Sequence, residues 1–113
     1  VQYEKEAEFY CTAFHEIIHS TGHATRLDRK TLYKCKTFGD HNYSEEELVA
    51  ELGAAYLCAL TGISNETLEN SKNYIKGWVK VFKNDPKMIM RASAQAQKAV
   101  DFLIGKPKFE GVA

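Results

Sequence analysis

The strongest constraint on this chain's fold is the stretch from Leu48 to Leu60, thirteen residues carrying a single charge, Glu51. A helix that is apolar nearly all round has no face to give to water, so other elements must surround it. The stretch falls short of the ~18 apolar residues that a membrane span needs. It therefore predicts a central buried helix in a small helical domain. Ser44 followed three residues later by Glu47 has the spacing of a capping box, and Gly62 lies just past the run. The predicted helix covers residues 44–60.

Three more helices are expected around it. One covers 5–21, with Tyr10, Phe14, Ile17 and Ile18 as its apolar face and Gly22 as its stop. Another covers 65–83, with Leu68, Ile75, Trp78, Val79 and Phe82 turned inward. The last opens on Asp85 and Pro86 and ends before Gly105, packing through Ala92, Ala96, Ala99 and Leu103. Residues 23–43 are polar and read as a long loop with room for a short hairpin. The expected fold class is mainly α, a four-helix core forming one domain over residues 1–113.

Bulk composition narrows function by exclusion. Fifteen basic residues balance fifteen acidic ones, so no global field draws the chain to nucleic acid or a membrane. Three cysteines without a CxxC pair argue against a disulfide framework and weakly for a reducing compartment. Cys11 and Cys58 then read as plain core residues. With no leader-like opening, a cytoplasmic location is expected. The chain starts at once in helix-forming residues without an initiator methionine, and reads as a piece of a longer protein.

The chemistry lies in His15-Glu16-Ile17-Ile18-His19. Residues four apart share one helical face, so two imidazoles can grip one ion, with Glu16 beside the water that ion would hold. Zinc sites of this kind take a third protein ligand and leave a position open. Two sources are available. His23 follows Gly22 in HEIIHSTGH, close to the HExxHxxGxxH pattern, but stands directly after the glycine instead of two residues later. The central helix offers Glu47 and Glu51, four apart. A lone carboxylate in an apolar helix is costly without a partner, which favours the central helix.

The stretch Glu47-Leu48-Val49-Ala50-Glu51 resembles the ExxA[D/N] signature of gluzincin-type peptidases. That resemblance implies Glu47 as the third metal ligand and Glu51 as the acceptor that orients His15, with Ala50 allowing close helix packing. Glu51 departs from the usual Asp or Asn. More broadly, HEIIHSTGHATRLDRK, FGDHNYSEEELVAELGAAYLC and the residues 73–103 are similar to the C-terminal zincin-like domain of ArdC-type antirestriction proteins. The same domain occurs in plasmid proteins labelled DNA primases and in phage polyvalent proteins. The resemblance implies a zinc metallopeptidase acting on a protein or peptide, and contact with single-stranded DNA only through a separate N-terminal domain absent from this chain. Strands that usually lead into the HExxH helix are absent too.

The expected chemistry is peptide hydrolysis by a zinc-activated water, with Glu16 as general base. His41, Tyr43 and His23 are the candidate donors to the oxyanion. The alternative is a zinc-holding module that binds without cleaving. Lys72, Lys76, Lys80 and Lys83, with Lys87 and Arg91 beyond them, read as a solvated face. Oligomeric state is left open by the sequence.

Overall fold

A computed structural model describes residues 2–33, 41–63, 65–81, 83 and 85–105. Its helices are α1 (Gln2–Thr21), α2 (Lys30–Tyr33), α3 (His41–Thr61), α4 (Asn65–Val81) and α5 (Met88–Ile104). Among the described residues there is no strand. The expected hairpin would fall partly on residues 34–40, which lie outside them. The short α2 is the one helix that the sequence reading does not anticipate.

As its composition demands, α3 is the axis of the domain, and each of the other four helices packs on it. Leu48, Val49, Ala50, Leu57 and Cys58 are buried, and Ile18 from α1 joins them with Met88, Ala92, Ala96, Ala99 and Val100 from α5. Phe14, Ile75 and Trp78 pack on this cluster as half-buried neighbours. Gly53 leaves room in the α1–α3 seam, where an added Cβ would stand 2.6 Å from Ile18 Cδ1. That room admits Ile18 into the seam, and Ala50 is fully buried in the same core cluster.

Several expected faces are corrected. On α1 the buried line is Ala7 and Ile18 with Cys11, Phe14 and His15 half-buried beside it, while Tyr10 and Ile17 are exposed. The seam is centred on Ile18, and Tyr10 and Ile17 sit about a quarter turn from it at 3.6 residues per turn. Leu103 and Val79 are likewise exposed. Leu68 and Phe82 have side chains outside the described residues.

Helix starts are corrected as well. Helix α3 begins at His41, so Ser44 lies inside its first turn and cannot cap it. Among the described residues its buried hydroxyl has no hydrogen-bond partner. Helix α5 begins at Met88 after Lys87, which makes no side-chain cap, and Asp85 and Pro86 form the turn before it. The expectation of unpaired core cysteines is overturned too: Cys11 and Cys58 form a disulfide across the α1–α3 seam, their Cα atoms 6.5 Å apart. Their spacing in sequence gives no hint of it. Packing brings them face to face, and cysteine usage no longer argues for a reducing compartment. No helix among the described residues is long and apolar enough to cross a membrane.

Candidate metal centre

The centre is built where α1 and α3 cross. His15 and His19 lie one turn apart on α1, and Glu46, Glu47 and Glu51 face them from α3. The imidazoles meet edge to face, with centroids 4.8 Å apart and their Nε2 atoms 3.1 Å apart. Glu47 closes the triangle: one oxygen lies 3.0 Å from His15 Nε2 and the other 3.2 Å from His19 Nε2. Among the described residues, His15, His19 and Glu47 are the group able to hold a metal ion.

Each ring is held from behind through Nδ1. His15 Nδ1 donates to Glu51 at 3.2 Å, and His19 Nδ1 donates to Glu46 at 2.7 Å. A carboxylate at Nδ1 keeps the proton there and turns the Nε2 lone pair toward the triangle, the arrangement typical of metal-bound histidines. Two inward lone pairs and a carboxylate suit a divalent cation. Without one, protons hold the cluster together. Burial pulls both imidazoles down, but hydrogen bonds to Glu47 and to Glu51 or Glu46, with the charges of those acids, raise His15 and His19 to about 9. Hydrogen bonds from the same two histidines bring Glu47 down to about 2.

Glu16 follows His15 on α1 and is exposed. Tyr43 is half-buried in the first turn of α3. His41 opens that helix, with its side chain outside the described residues. His23 is turned elsewhere: its Nδ1 meets Thr25 Oγ1 at 2.9 Å and accepts the Thr25 N–H at 3.1 Å, inside its own turn. It is not among the converging side chains. Tyr74 on α4 is a further group the sequence reading passed over. Burial and the charges of Glu47 and Glu51 raise its phenol, against an opposing contact with Trp78.

The larger omission is the support of His19. Glu46 is almost fully buried and accepts from Arg29 Nε at 2.7 Å, Arg29 Nη2 at 2.8 Å and Thr31 at 2.9 Å. Arg29 follows a compact turn, not a loose loop. Leu27 N–H donates to Thr21 O at 2.9 Å and Arg29 N–H to Gly22 O at 2.9 Å, folding residues 23–29 back over the end of α1. The signal available was three adjacent acids, Glu45 to Glu47, at the head of a buried helix. Each points in a different direction and each needs its own partner.

A family model described as a zincin-like metallopeptidase matches residues 1–95. The chain belongs to the zincin-like metallopeptidase family. The family implies a metal, usually zinc, and the His15–His19–Glu47 triangle is where the described residues could hold it. Two Escherichia coli proteins named DNA primase TraC are 37% and 34% identical over 103 residues, covering 91% of this chain but 9% and 7% of their own length. An uncharacterized Sinorhizobium fredii protein, y4eC, is 32% identical over 95 residues, covering 84% of this chain and 30% of its own length. The chain thus spans less than a tenth of the TraC relatives. No solved structure matches it.

Proposed function

We propose that this chain is a zinc-dependent peptidase domain, with His15, His19 and Glu47 as metal ligands. The observation that carries the reading is the meeting of two Nε2 atoms and one carboxylate, with both Nδ1 atoms already engaged behind them. Zinc, when bound, polarises a peptide carbonyl and acidifies a water. Glu16, exposed and next to His15 in the chain, takes the proton of the attacking water and delivers it to the leaving amine. Glu51 holds His15. Tyr43 and His41, at the start of α3, are the proposed donors to the oxyanion.

The wider setting rests on the sequence resemblance: a cytoplasmic domain of a longer plasmid-type, ArdC-like antirestriction protein, acting on a protein or peptide, whereas the TraC relatives are named only as DNA primases. Single-stranded DNA would be met through another domain. The test has two readouts. Elemental analysis should find one zinc per chain, and Glu16→Gln should keep that zinc while losing cleavage of a peptide library. A chain without zinc overturns the reading. Zinc with no cleavage beyond that of Glu16→Gln hands the function to a zinc-holding binding module.

A further inference from the structure

We propose that Arg29 is a positioning residue of the metal centre: through Glu46 it fixes the His19 ring, so that the turn after α1 sets the aim of Nε2 at Glu47. This rests on the metal-site reading above and goes beyond it, because Arg29 touches no ligand directly.

Arg29 is 4% exposed, and a buried guanidinium is tolerated only where its donors are met. Here they are. Nε and Nη2 grip both oxygens of Glu46, Nη2 also reaches Ile18 O at 2.9 Å, and Nη1 reaches Thr21 Oγ1 at 3.0 Å. Two of these acceptors belong to the last turn of α1, the turn that carries His19. A single planar group therefore ties that turn to α3 on the side where His19 meets Glu46. With Thr31 on the first Glu46 oxygen, the carboxylate cannot swing, and its second oxygen stays 2.7 Å from His19 Nδ1. Lysine cannot reproduce this, since one ammonium does not span two oxygens in a fixed fork.

The surrounding sequence is shaped for the guanidinium. A Cβ on Gly22 would stand 2.9 Å from Arg29 Nη2 and 3.0 Å from its Cζ. Helix α1 ends at Thr21, so Gly22 stands at its stop as expected, but without a positive φ, and the space it leaves is its contribution. Asp28, just before Arg29, has φ 52, a left-handed conformation that Asp adopts more readily than most residues and that turns the chain back over α1.

The experiment compares the parent chain with Arg29→Met/Glu46→Leu, Arg29→Lys and Gly22→Ala. Zinc affinity is measured by chelator competition, the metal-free fold by circular dichroism, and the His19 tautomer in the metal-free chain by nitrogen NMR above pH 9, where the imidazole is neutral. The double variant removes both buried charges together, a change that proteins often tolerate without loss of stability. It should fold, bind zinc about 10–100-fold more weakly, and lose the Nδ1–H preference of His19. Arg29→Lys and Gly22→Ala should fall between it and the parent. A folded double variant with the parent's zinc affinity overturns the proposal. Should the double variant fail to fold, Arg29→Lys decides, and parent-like affinity there overturns it. A parent chain that binds no zinc overturns both this proposal and the peptidase reading. Weakened zinc binding as expected, in a chain that cleaves nothing, supports the positioning role and overturns only the peptidase reading.

Discussion

The two histidines of the centre are held by unequal means. Behind His15 stands Glu51, whose side chain is 18% exposed and 3.2 Å away. Behind His19 stands Glu46, 4% exposed, 2.7 Å away and itself locked by Arg29 and Thr31. One ring leans on a partly exposed carboxylate, the other on a buried one. Outer partners of metal ligands set ring orientation, so the buried Glu46, gripped by Arg29 and Thr31, makes the His19 side a rigid anchor of the site.

Removing Glu47 strikes both sides at once and should have the largest effect. Glu47→Ala is expected to weaken zinc binding by more than the ~100-fold that loss of an outer partner costs. His23→Ala should leave it unchanged, because His23 is engaged within its own turn. Chelator competition on both variants checks this. Zinc retained by Glu47→Ala and lost by His23→Ala would reinstate the pattern in which a histidine after the HExxH helix is the third ligand.

The asymmetry itself is tested by breaking each support alone. Arg29→Met leaves Glu46 buried with one charge partner gone, and should cost about 3–5 kcal/mol of metal-free stability. Glu51→Gln keeps size and an acceptor oxygen at a partly buried position, and should cost about 1 kcal/mol, with zinc affinity down about 10-fold. Thermal and denaturant unfolding of both metal-free chains gives the comparison. Equal losses would mean the two sides are equally rigid.

Acidity offers a gentler probe. In the metal-free chain His15 and His19 are raised to about 9 from 6.5, so the stability they contribute is complete below pH 6.5 and drains away as pH rises to about 9. Glu47 is lowered to about 2 from 4.5, so its contribution is present above pH 4.5 and is lost as pH falls toward 2. Metal-free stability should therefore peak between about pH 4.5 and 6.5. Zinc must displace the imidazole protons, so its apparent affinity should climb with pH up to about 9. Melting curves across pH, with and without zinc, check both slopes. A metal-free chain equally stable at pH 6 and pH 9 would contradict the geometry of the triangle.

What the sequence made legible follows from local rules. The apolar run from Leu48 to Leu60 announced a central helix, and HEIIH announced two inward histidines one turn apart, because both depend only on helical periodicity. Glu47 and Glu51 were readable as a pair four apart. Arg29 and Glu46 were not, since their meeting depends on a turn that folds residues 23–29 back over α1. Gly22 was visible as a glycine, but its purpose is set by a side chain seven residues later. The Cys11–Cys58 disulfide was hidden for the same reason: it depends on how two helices pack, and the sequence shows only that each cysteine lies in a helix.

The smallest effect is expected far from either histidine, on α4. Lys72, Lys76 and Lys80 are exposed, while Ile75 and Trp78 on the same helix pack against the core. The helix is thus held through its apolar side, and its lysines face water. Nearby Tyr74 stacks edge to face on Trp78, with centroids 6.1 Å apart, so its ring is already engaged. Reversing the three lysines to glutamate removes no buried contact, and surface changes of this kind usually stay within about 0.5 kcal/mol each. Zinc affinity should be unaffected within error, which separates the surface of α4 from the α1–α3 crossing. The informative measurement is titration with a single-stranded oligonucleotide at two salt concentrations. Binding through lysines to phosphates weakens steeply with salt because bound counterions are released. Weak or absent binding by both parent and triple variant fits a solvated face. Tight binding by the parent, lost in the triple variant and at high salt, would make this helix a nucleic-acid surface after all.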